Sequence, residues 1–263
     1  MNASSRIGVA IEGRIARVVI DNPARRNAVS FAMWGALADA LERLAGDDEV
    51  RVVVLTGAGD RAFSAGNDIS EFGEWRSHPE RLARYNETSA RACRALRLMP
   101  RPTIARIRGV CVGGGFELAQ LCDIAVAAED ARFAVTPARL GLGYKLEDVE
   151  LLVERIGARA ARELLYTARM FDAAEAMRLG LVNRIVPVGE LDACVDGYAA
   201  DIAANAPLSV HAAKSIIAEA TKPDGMRDRA LCQALVDACH RSDDYQEGQR
   251  AFAEKRPPVF RGR

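Results

Sequence analysis

Residues 109–123 read GVCVGGGFELAQLCD, in which three glycines separate a short apolar run from a helical pattern. Glycines let a ligand approach the backbone closely, and the first amides of a helix lie at the positive end of its dipole. Glu117 follows in the first turn, three residues after Gly114. The segment predicts a backbone site for a negatively charged oxygen, with a carboxyl group beside it that can act as a general acid or base. A glutamate that only complements the helix N-terminus is the alternative.

A second turn of small residues follows another apolar run. Residues 63–69 read FSAGNDI and come after the apolar residues 50–55. We expect the backbone amides of Ala65 and Gly114 to converge on one oxyanion, where each donor is worth on the order of 3 kcal/mol. Asp68 is predicted to cap a helix that begins near Ile69, and this role explains it as well as a catalytic one does.

The pattern around these turns indicates an α/β fold. Ser30 is predicted to cap a helix that places Leu37, Leu41 and Leu44 on one face. From about residue 147 the strand signals almost disappear, so a helical C-terminal extension follows an α/β core. Strands are predicted at 15–20, 50–55, 103–107 and 124–128, and the later helices at 147–156, 158–168, 172–179, 189–205, 207–221 and 226–240.

Composition limits the possible classes of protein. The chain has 263 residues, of which 49% are apolar, so it can form a large core as one long domain or two short ones. Lys and Arg together number 36, as do Asp and Glu, which argues against nucleic acid as a partner. No apolar run is long enough to span a bilayer, and the N-terminus lacks the apolar core of a signal peptide. We therefore expect a cytoplasmic protein without a membrane partner.

Several familiar motifs are incomplete. Residues 57–62 read GAGDRA, but a small-residue turn follows them instead of the helix that dinucleotide binding requires. Ser64 lies outside any GxSxG sequence. The six cysteines form no CxxC pair and the three histidines are isolated, so we predict reduced thiols and no metal site.

The two turns together resemble the crotonase family, also called the enoyl-CoA hydratase/isomerase superfamily. The resemblance rests on FSAGNDI at 63–69 and GVCVGGGFELAQLCDIAVA at 109–127, and it extends in order over nearly the whole chain. Further matching segments are 22–28, 132–141, 173–183 and 244–260.

The resemblance implies a crotonase fold, a spiral of ββα turns with a C-terminal helical region that trimerises, often as a dimer of trimers. We expect the spiral core at 1–190 and the helical region at 191–263, within one structural unit. The implied substrate is an acyl-CoA thioester, whose carbonyl oxygen the Ala65 and Gly114 amides would hold as an enolate forms. Coenzyme A would enter with the substrate, and no separate cofactor is implied.

Residues that would bind the substrate follow from the same resemblance. They lie near 22–28, where Arg25 or Arg26 is a candidate phosphate contact, and in the turn at 65–69. Phe252 and Lys255 match positions that reach CoA, sometimes across a subunit boundary. The binding residues implied are Arg25, Arg26, Ala65, Gly66, Asn67, Asp68, Gly114, Phe252 and Lys255. Phe72, Trp75 and Tyr85 are candidates for the wall of the acyl pocket, and ordinary core or lid packing explains them equally well.

One position departs from the family pattern. Glu117 matches the first catalytic glutamate of the hydratases, whereas Pro137 stands where their second glutamate belongs. Because proline cannot transfer a proton, the two-glutamate hydratase mechanism is in doubt, and so is the isomerase mechanism that uses the missing position.

The phrase TPARLGLGY at 136–144 resembles a branch that includes decarboxylases of malonyl-type CoA thioesters. There, residues at the Glu117 and Tyr144 positions line the site. Lys145 and Glu147 are either solvent-exposed or contacts of the acyl group.

Three functions remain open. We predict an acyl-CoA lyase that works through a thioester enolate with Glu117 and Tyr144 as catalytic residues, and rank decarboxylation slightly above hydration. The alternatives are an enoyl-CoA hydratase with an atypical second catalytic position and an acyl-CoA binder without catalysis.

Overall fold

The computed structural model describes residues 5–75 and 78–263. In chain order the strands are β1 (Arg6–Glu12), β2 (Ile15–Asp21), β3 (Val52–Gly57), β4 (Ala62–Ser64), β5 (Thr103–Ile107), β6 (Val110–Val112), β7 (Ile124–Ala128), β8 (Arg132–Ala134), β9 (Phe171–Asp172) and β10 (Arg184–Val186). The helices are α1 (Phe31–Ala45), α2 (Phe72–Trp75), α3 (Pro79–Arg97), α4 (Gly114–Leu121), α5 (Leu146–Thr167), α6 (Ala173–Arg178), α7 (Leu191–Ala204), α8 (Pro207–Ala220), α9 (Arg229–His240) and α10 (Asp243–Ala253).

The strands form two sheets that share their connections. The larger sheet has the order β1-β2-β3-β5-β7-β10, and the smaller one has the order β4-β6-β8-β9. In the larger sheet only the β1–β2 pair is antiparallel, and in the smaller sheet only the β8–β9 pair is. This confirms the predicted α/β class.

The chain repeats one unit three times. In each unit the first strand enters the larger sheet, the second enters the smaller sheet, and a helix follows. The three units are β3-β4 followed by α2 and α3, β5-β6-α4, and β7-β8-α5. They form the spiral of ββα turns that the resemblance implies, and they place the second strands side by side. The turns that leave β4 and β6 are therefore neighbours.

The central strand β3 is covered on both faces. Val53 and Leu55 belong to the main core, whereas Val52 and Val54 pack in a second cluster with residues of α7 such as Val195. Parallel strands buried on both faces have continuous apolar sequences, as β3 has. Helix α7, from the predicted C-terminal region, thus covers one face of the larger sheet.

Most predicted elements are confirmed within one to three residues. Ser30 accepts a hydrogen bond from the backbone amide of Met33 and so caps α1 as expected. Gly157 has a φ of 73° and interrupts α5 at the predicted boundary between two helices. The C-terminal half departs from the expectation in two ways, because it also contains the short strands β9 and β10 and ends in an additional helix, α10.

The C-terminal tail is attached to the body of the protein by buried polar groups. The Arg51 guanidinium is buried and donates hydrogen bonds to the carbonyl oxygens of Phe260 (2.9 Å) and Asn205 (3.3 Å). The buried carboxylate of Asp244 accepts hydrogen bonds from the backbone amides of Arg261 and Gly262.

The assembly of the chain into trimers or dimers of trimers stays a prediction. Among the described residues, no helix combines the length and apolar character needed to cross a membrane.

Candidate active site

The turns after β4 and β6 approach so closely that glycine is required. Gly66 has a φ of +84°, and a Cβ at this residue would lie 2.8 Å from the Gly114 amide nitrogen and 2.9 Å from the Val112 carbonyl oxygen. A Cβ on Gly115 would lie 2.4 Å from the carbonyl oxygen of Ser64. A side-chain carbon cannot approach other atoms this closely, so the packing of one turn on the other requires glycine at both positions.

Two backbone amides meet at this junction. Asn67 forms a parallel bridge with Val29, in which the Val29 amide donates to Gly66 and the Asp68 amide donates to Val29. Because amides alternate sides along an extended chain, the Asn67 amide points away from Val29. A Cβ on Gly114 would lie 3.7 Å from the Asn67 nitrogen. Within the described residues neither the Asn67 nor the Gly114 amide has a hydrogen-bond acceptor.

The predicted role of Ala65 is wrong in this structure. Its backbone amide donates to the carbonyl oxygen of Arg26 at 2.9 Å and is therefore occupied. The available amide in the FSAGNDI turn belongs to Asn67, two residues later. The sequence pattern identified the correct turn, but it did not indicate which amides bond within the protein.

Side-chain hydrogen bonds hold the turn in place. The indole nitrogen of the buried Trp34 donates to Asn67 Oδ1 at 3.0 Å. The Ser64 hydroxyl donates to the carbonyl oxygen of Asn27 at 2.7 Å and accepts from the Gly66 amide at 3.1 Å. Ser64 is fully buried, so it is a structural residue and not a nucleophile.

Glu117 faces a pocket of about 280 Å³ between α4 and the first turns of α5. Burial raises the pKa of the Glu117 carboxyl to about 7, with a further contribution from the charge of Asp148. A hydrogen bond from the Cys93 thiol and the charge of Lys145 oppose this rise. The pocket is lined by Phe116, Glu117, Gln120, Val135, Tyr144, Asp148, Leu151 and Leu152.

Tyr144 lies in this pocket, as predicted. Burial, and then the charge of Glu117, raises the pKa of its phenol above the usual range, so the hydroxyl stays protonated and can donate a hydrogen bond. Both residues of the pair beside it are exposed, and neither lines the pocket. Lys145 is exposed but contributes a positive charge at Glu117, whereas Glu147 is exposed and does not line the pocket.

Asp148 is the residue that the sequence analysis missed. Its carboxylate lines the same pocket as Glu117, and its charge contributes to the raised pKa of the Glu117 carboxyl. A signal was present, because Tyr144, Asp148, Leu151 and Leu152 follow the i, i+4, i+7, i+8 spacing of one helix face. Lys145 and Glu147, the neighbours of Tyr144 that were considered from the sequence, lie outside that spacing.

The two candidate phosphate contacts, Arg25 and Arg26, differ in their surroundings. Arg25 contacts Asp68 at 2.8 Å and also bonds to Ser70, so its guanidinium is partly occupied. Burial alone would raise the pKa of Asp68, but bonds from Ser70 and the Arg25 charge together lower it. Asp68 also caps the 3-10 turn Ile69–Glu71, as predicted. Arg26 is exposed, with a φ of 51°.

Phe252 and Lys255 lie near the end of α10. Phe252 is 87% exposed and Lys255 is exposed. No hydrogen bond or ion pair in the described residues joins either of them to the turns at 63–69 and 113–117. Their role in binding therefore stays a prediction, as does the suggestion that they act across a subunit boundary.

For Tyr85 the structure favours core packing over the wall of the acyl pocket. Tyr85 is only 2% exposed and packs in the main core, with its ring centroid 6.0 Å from that of Phe31. Its position in the amphipathic helix α3 explains this, because it shares the buried face with Ala92 and Leu96. Phe72 lies in α2 and is partly buried. The side chain of Trp75 lies outside the described residues.

Comparisons with known proteins agree with this architecture. The model of the enoyl-CoA hydratase/isomerase family matches residues 10–263. A solved structure described as an enoyl-CoA hydratase/carnithine racemase from Magnetospirillum magneticum has a TM-score of 0.90 and 38% identity, covering 98% of this chain and 96% of that one.

Two curated relatives have names that state a reaction. The short-chain-enoyl-CoA hydratase of Clostridium acetobutylicum is 33% identical over 93% of this chain and 93% of its own length. The crotonyl-CoA hydratase of Syntrophomonas wolfei is 31% identical over 95% of each chain. Both names describe hydratases, so they give no support to the predicted preference for decarboxylation.

Proposed function

Because this chain belongs to the enoyl-CoA hydratase/isomerase family, we propose that it hydrates the double bond of a 2-enoyl-CoA thioester. The observation that carries the proposal is the position of Glu117 on α4, one helical turn after Gly114, which itself lies beside the Asn67 amide. An oxyanion donor and a protonated carboxyl are thereby fixed on the same short helix.

The two amides would stabilise the charge that develops on the thioester oxygen. When water adds to C3 of the enoyl group, the electrons of the double bond move toward the carbonyl and form an enolate. Donors fixed at the place where negative charge develops contribute more in the transition state than in the ground state. The Asn67 and Gly114 amides fit this role because, among the described residues, neither amide donates a hydrogen bond to an acceptor.

Glu117 would supply the proton that completes the reaction at C2. A carboxyl with a pKa of about 7 is protonated in a large fraction of molecules near neutral pH and can still release its proton readily. Tyr144 would donate a hydrogen bond in the same pocket. A substrate enters with its own CoA group, so the proposal requires no separate cofactor.

The test is turnover of purified protein with crotonyl-CoA, compared with methylmalonyl-CoA and ethylmalonyl-CoA. We expect loss of the enoyl-thioester absorbance and gain of one water in the product mass, with slower or no loss of CO₂ from the carboxyacyl substrates. Faster decarboxylation than hydration would contradict the proposal. Binding without any turnover would favour the non-catalytic acyl-CoA binder.

Glu117→Gln is the matched variant, because it keeps the size and the helix position of the side chain. General acid–base catalysis typically contributes about 10²–10⁴-fold, so we expect kcat to fall by that factor. The dissociation constant for a saturated acyl-CoA, measured by calorimetry, should change little. A variant with unchanged kcat would remove Glu117 from the mechanism.

A further inference from the structure

A second carboxylate occupies the pocket although the family's second glutamate is replaced by Pro137. Pro137 is buried at the start of the 3-10 turn Pro137–Leu140 and has no group that can transfer a proton. Asp148 lies in the first turn of the next helix, α5, and lines the pocket from the side opposite α4. Glu117 lines the same pocket from α4, and the charge of Asp148 contributes to the raised pKa of its carboxyl.

We propose that Asp148 is the second catalytic carboxylate of this chain and that it forms, with Glu117, a pair that holds a single proton. This inference rests on the hydration proposed above and assigns the partner that the reaction needs. Two carboxyl groups that line one small pocket disfavour double ionisation, and the charge of Asp148 contributes to the raised pKa of Glu117, so one proton held by the pair is the favoured state. Asp148 lies in a different element and at a different place in the sequence from Pro137, which occupies the position of the family's second glutamate.

Three further polar or charged groups lie near the two carboxyl groups. Cys93 approaches from α3 and donates its thiol hydrogen to Glu117. Lys145 brings a positive charge from the N-terminus of α5, and the Tyr144 phenol stays protonated. Glu117 holds the proton because burial disfavours the charged form of its carboxyl.

The pair can complete hydration without an external acid or base. Asp148 accepts a proton from water as the water oxygen bonds to C3 of the enoyl group. The double-bond electrons pass to the thioester as an enolate and return to bond C2 to the proton that Glu117 releases. Asp148 is then protonated and Glu117 ionised. Transfer of one proton between them restores the starting state, and the elements of one water have been added.

The experiment measures the pH dependence of kcat for crotonyl-CoA hydration in wild type, Asp148→Asn and Glu147→Gln. We expect a bell-shaped profile in wild type, because only the singly protonated pair is active, with both apparent pKa values belonging to the pair. Asp148→Asn should lower kcat by about 10²–10⁴-fold, leave KM within a few-fold, and lose one limb of the bell. Glu147→Gln removes the same charge from the same helix turn and should retain the wild-type profile.

The outcomes separate this inference from the function on which it rests. If wild type does not hydrate any enoyl-CoA, the proposed function fails. If wild type hydrates crotonyl-CoA and Asp148→Asn keeps kcat within about three-fold at a shifted pH optimum, Asp148 only tunes Glu117 and the inference is overturned. Circular dichroism and thermal unfolding identify a variant that fails to fold, and Asp148→Glu then provides the second variant. It should restore part of the lost kcat, and no restoration in folded protein would also overturn the inference.

Discussion

The raised pKa of Glu117 has a consequence for stability as well as for catalysis. The folded protein holds this proton up to a pH of about 7, whereas the unfolded chain releases it near 4.5. Between these values the folded state binds more protons, so the free energy of unfolding falls as pH rises. Below about pH 4.5 and above about pH 7, Glu117 contributes no further slope.

We therefore expect Glu117→Gln to be more stable than wild type at pH 8, by up to about 3 kcal/mol. At pH 4.5 the two proteins should be similar, since both side chains are then neutral. Urea unfolding at a series of pH values measures the difference. A difference that does not grow between pH 5 and pH 7 would mean that Glu117 titrates normally.

Trp34 is a positioning residue whose effect should be separable from its role in the core. Its indole donates to Asn67 and thereby orients the turn that carries the Asn67 amide. A hydrogen bond of this kind contributes about 0.5–1.5 kcal/mol. For Trp34→Phe we expect kcat to fall by about three- to ten-fold with little change in KM, since the amide stabilises the enolate more strongly than it binds the substrate.

The control is Leu41→Ala in the same helix, which removes buried volume without touching the junction of the two turns. It should lower the free energy of unfolding by about 2–5 kcal/mol and leave kcat of the folded protein unchanged. Equal kcat values for wild type and Trp34→Phe would show that the bond to Asn67 does not position the amide.

At the scale of elements, Gly66 joins the loop after β4 to the start of α4. Alanine at this position has an unfavourable φ and places its Cβ against two backbone atoms, so one turn must move away from the other. For Gly66→Ala we expect a loss of at least about 1–3 kcal/mol in the free energy of unfolding and a large loss of crotonyl-CoA turnover. Gly197→Ala is the matched control.

Gly197 lies in α7 with open space around its Cβ position, so alanine should be neutral or stabilising there by about 0.5–1 kcal/mol. Denaturant unfolding and steady-state kinetics of both variants test the expectation. Wild-type kinetics for Gly66→Ala would indicate that the two amides do not depend on the close approach of the turns.

The elements were more predictable from sequence than the contacts between them. The apolar run in β3 and the cap at Ser30 are local signals, and both lie where they were predicted. Whether the Ala65 amide is available depends on Arg26, 39 residues earlier, and this pairing leaves no mark in the local pattern. Asp148 meets Glu117 only because α5 folds over α4, so its partner likewise lies outside its own helix.

At the scale of the whole molecule, the C-terminal tail depends on a buried cation. Arg51→Met would remove the hydrogen bonds to the carbonyl oxygens of Asn205 and Phe260, of which Phe260 keeps a bond from Arg14, and a hydrogen bond from a charged group contributes about 1.5–3 kcal/mol. We expect that decrease in the free energy of unfolding, measured in urea, with kcat of the folded protein close to wild type, because the residue lies outside the catalytic pocket.

Arg6→Met provides the comparison, since Arg6 forms an exposed ion pair with Asp21. Exposed pairs contribute about 0–1 kcal/mol, so this variant should remain close to wild type. Equal effects of the two substitutions would show that the tail is not held by Arg51.

The distribution of the site over two helices makes its chemistry adaptable. Helix α4 carries the Gly114 amide and Glu117 at a fixed spacing, so their relative position survives any movement of the helix as a body. Helix α5 contributes the second carboxylate from a separate part of the chain. Substitutions in α5 can therefore exchange one reaction of the enolate for another while its stabilisation is retained, and directed evolution of new activities is best aimed at the pocket face of α5.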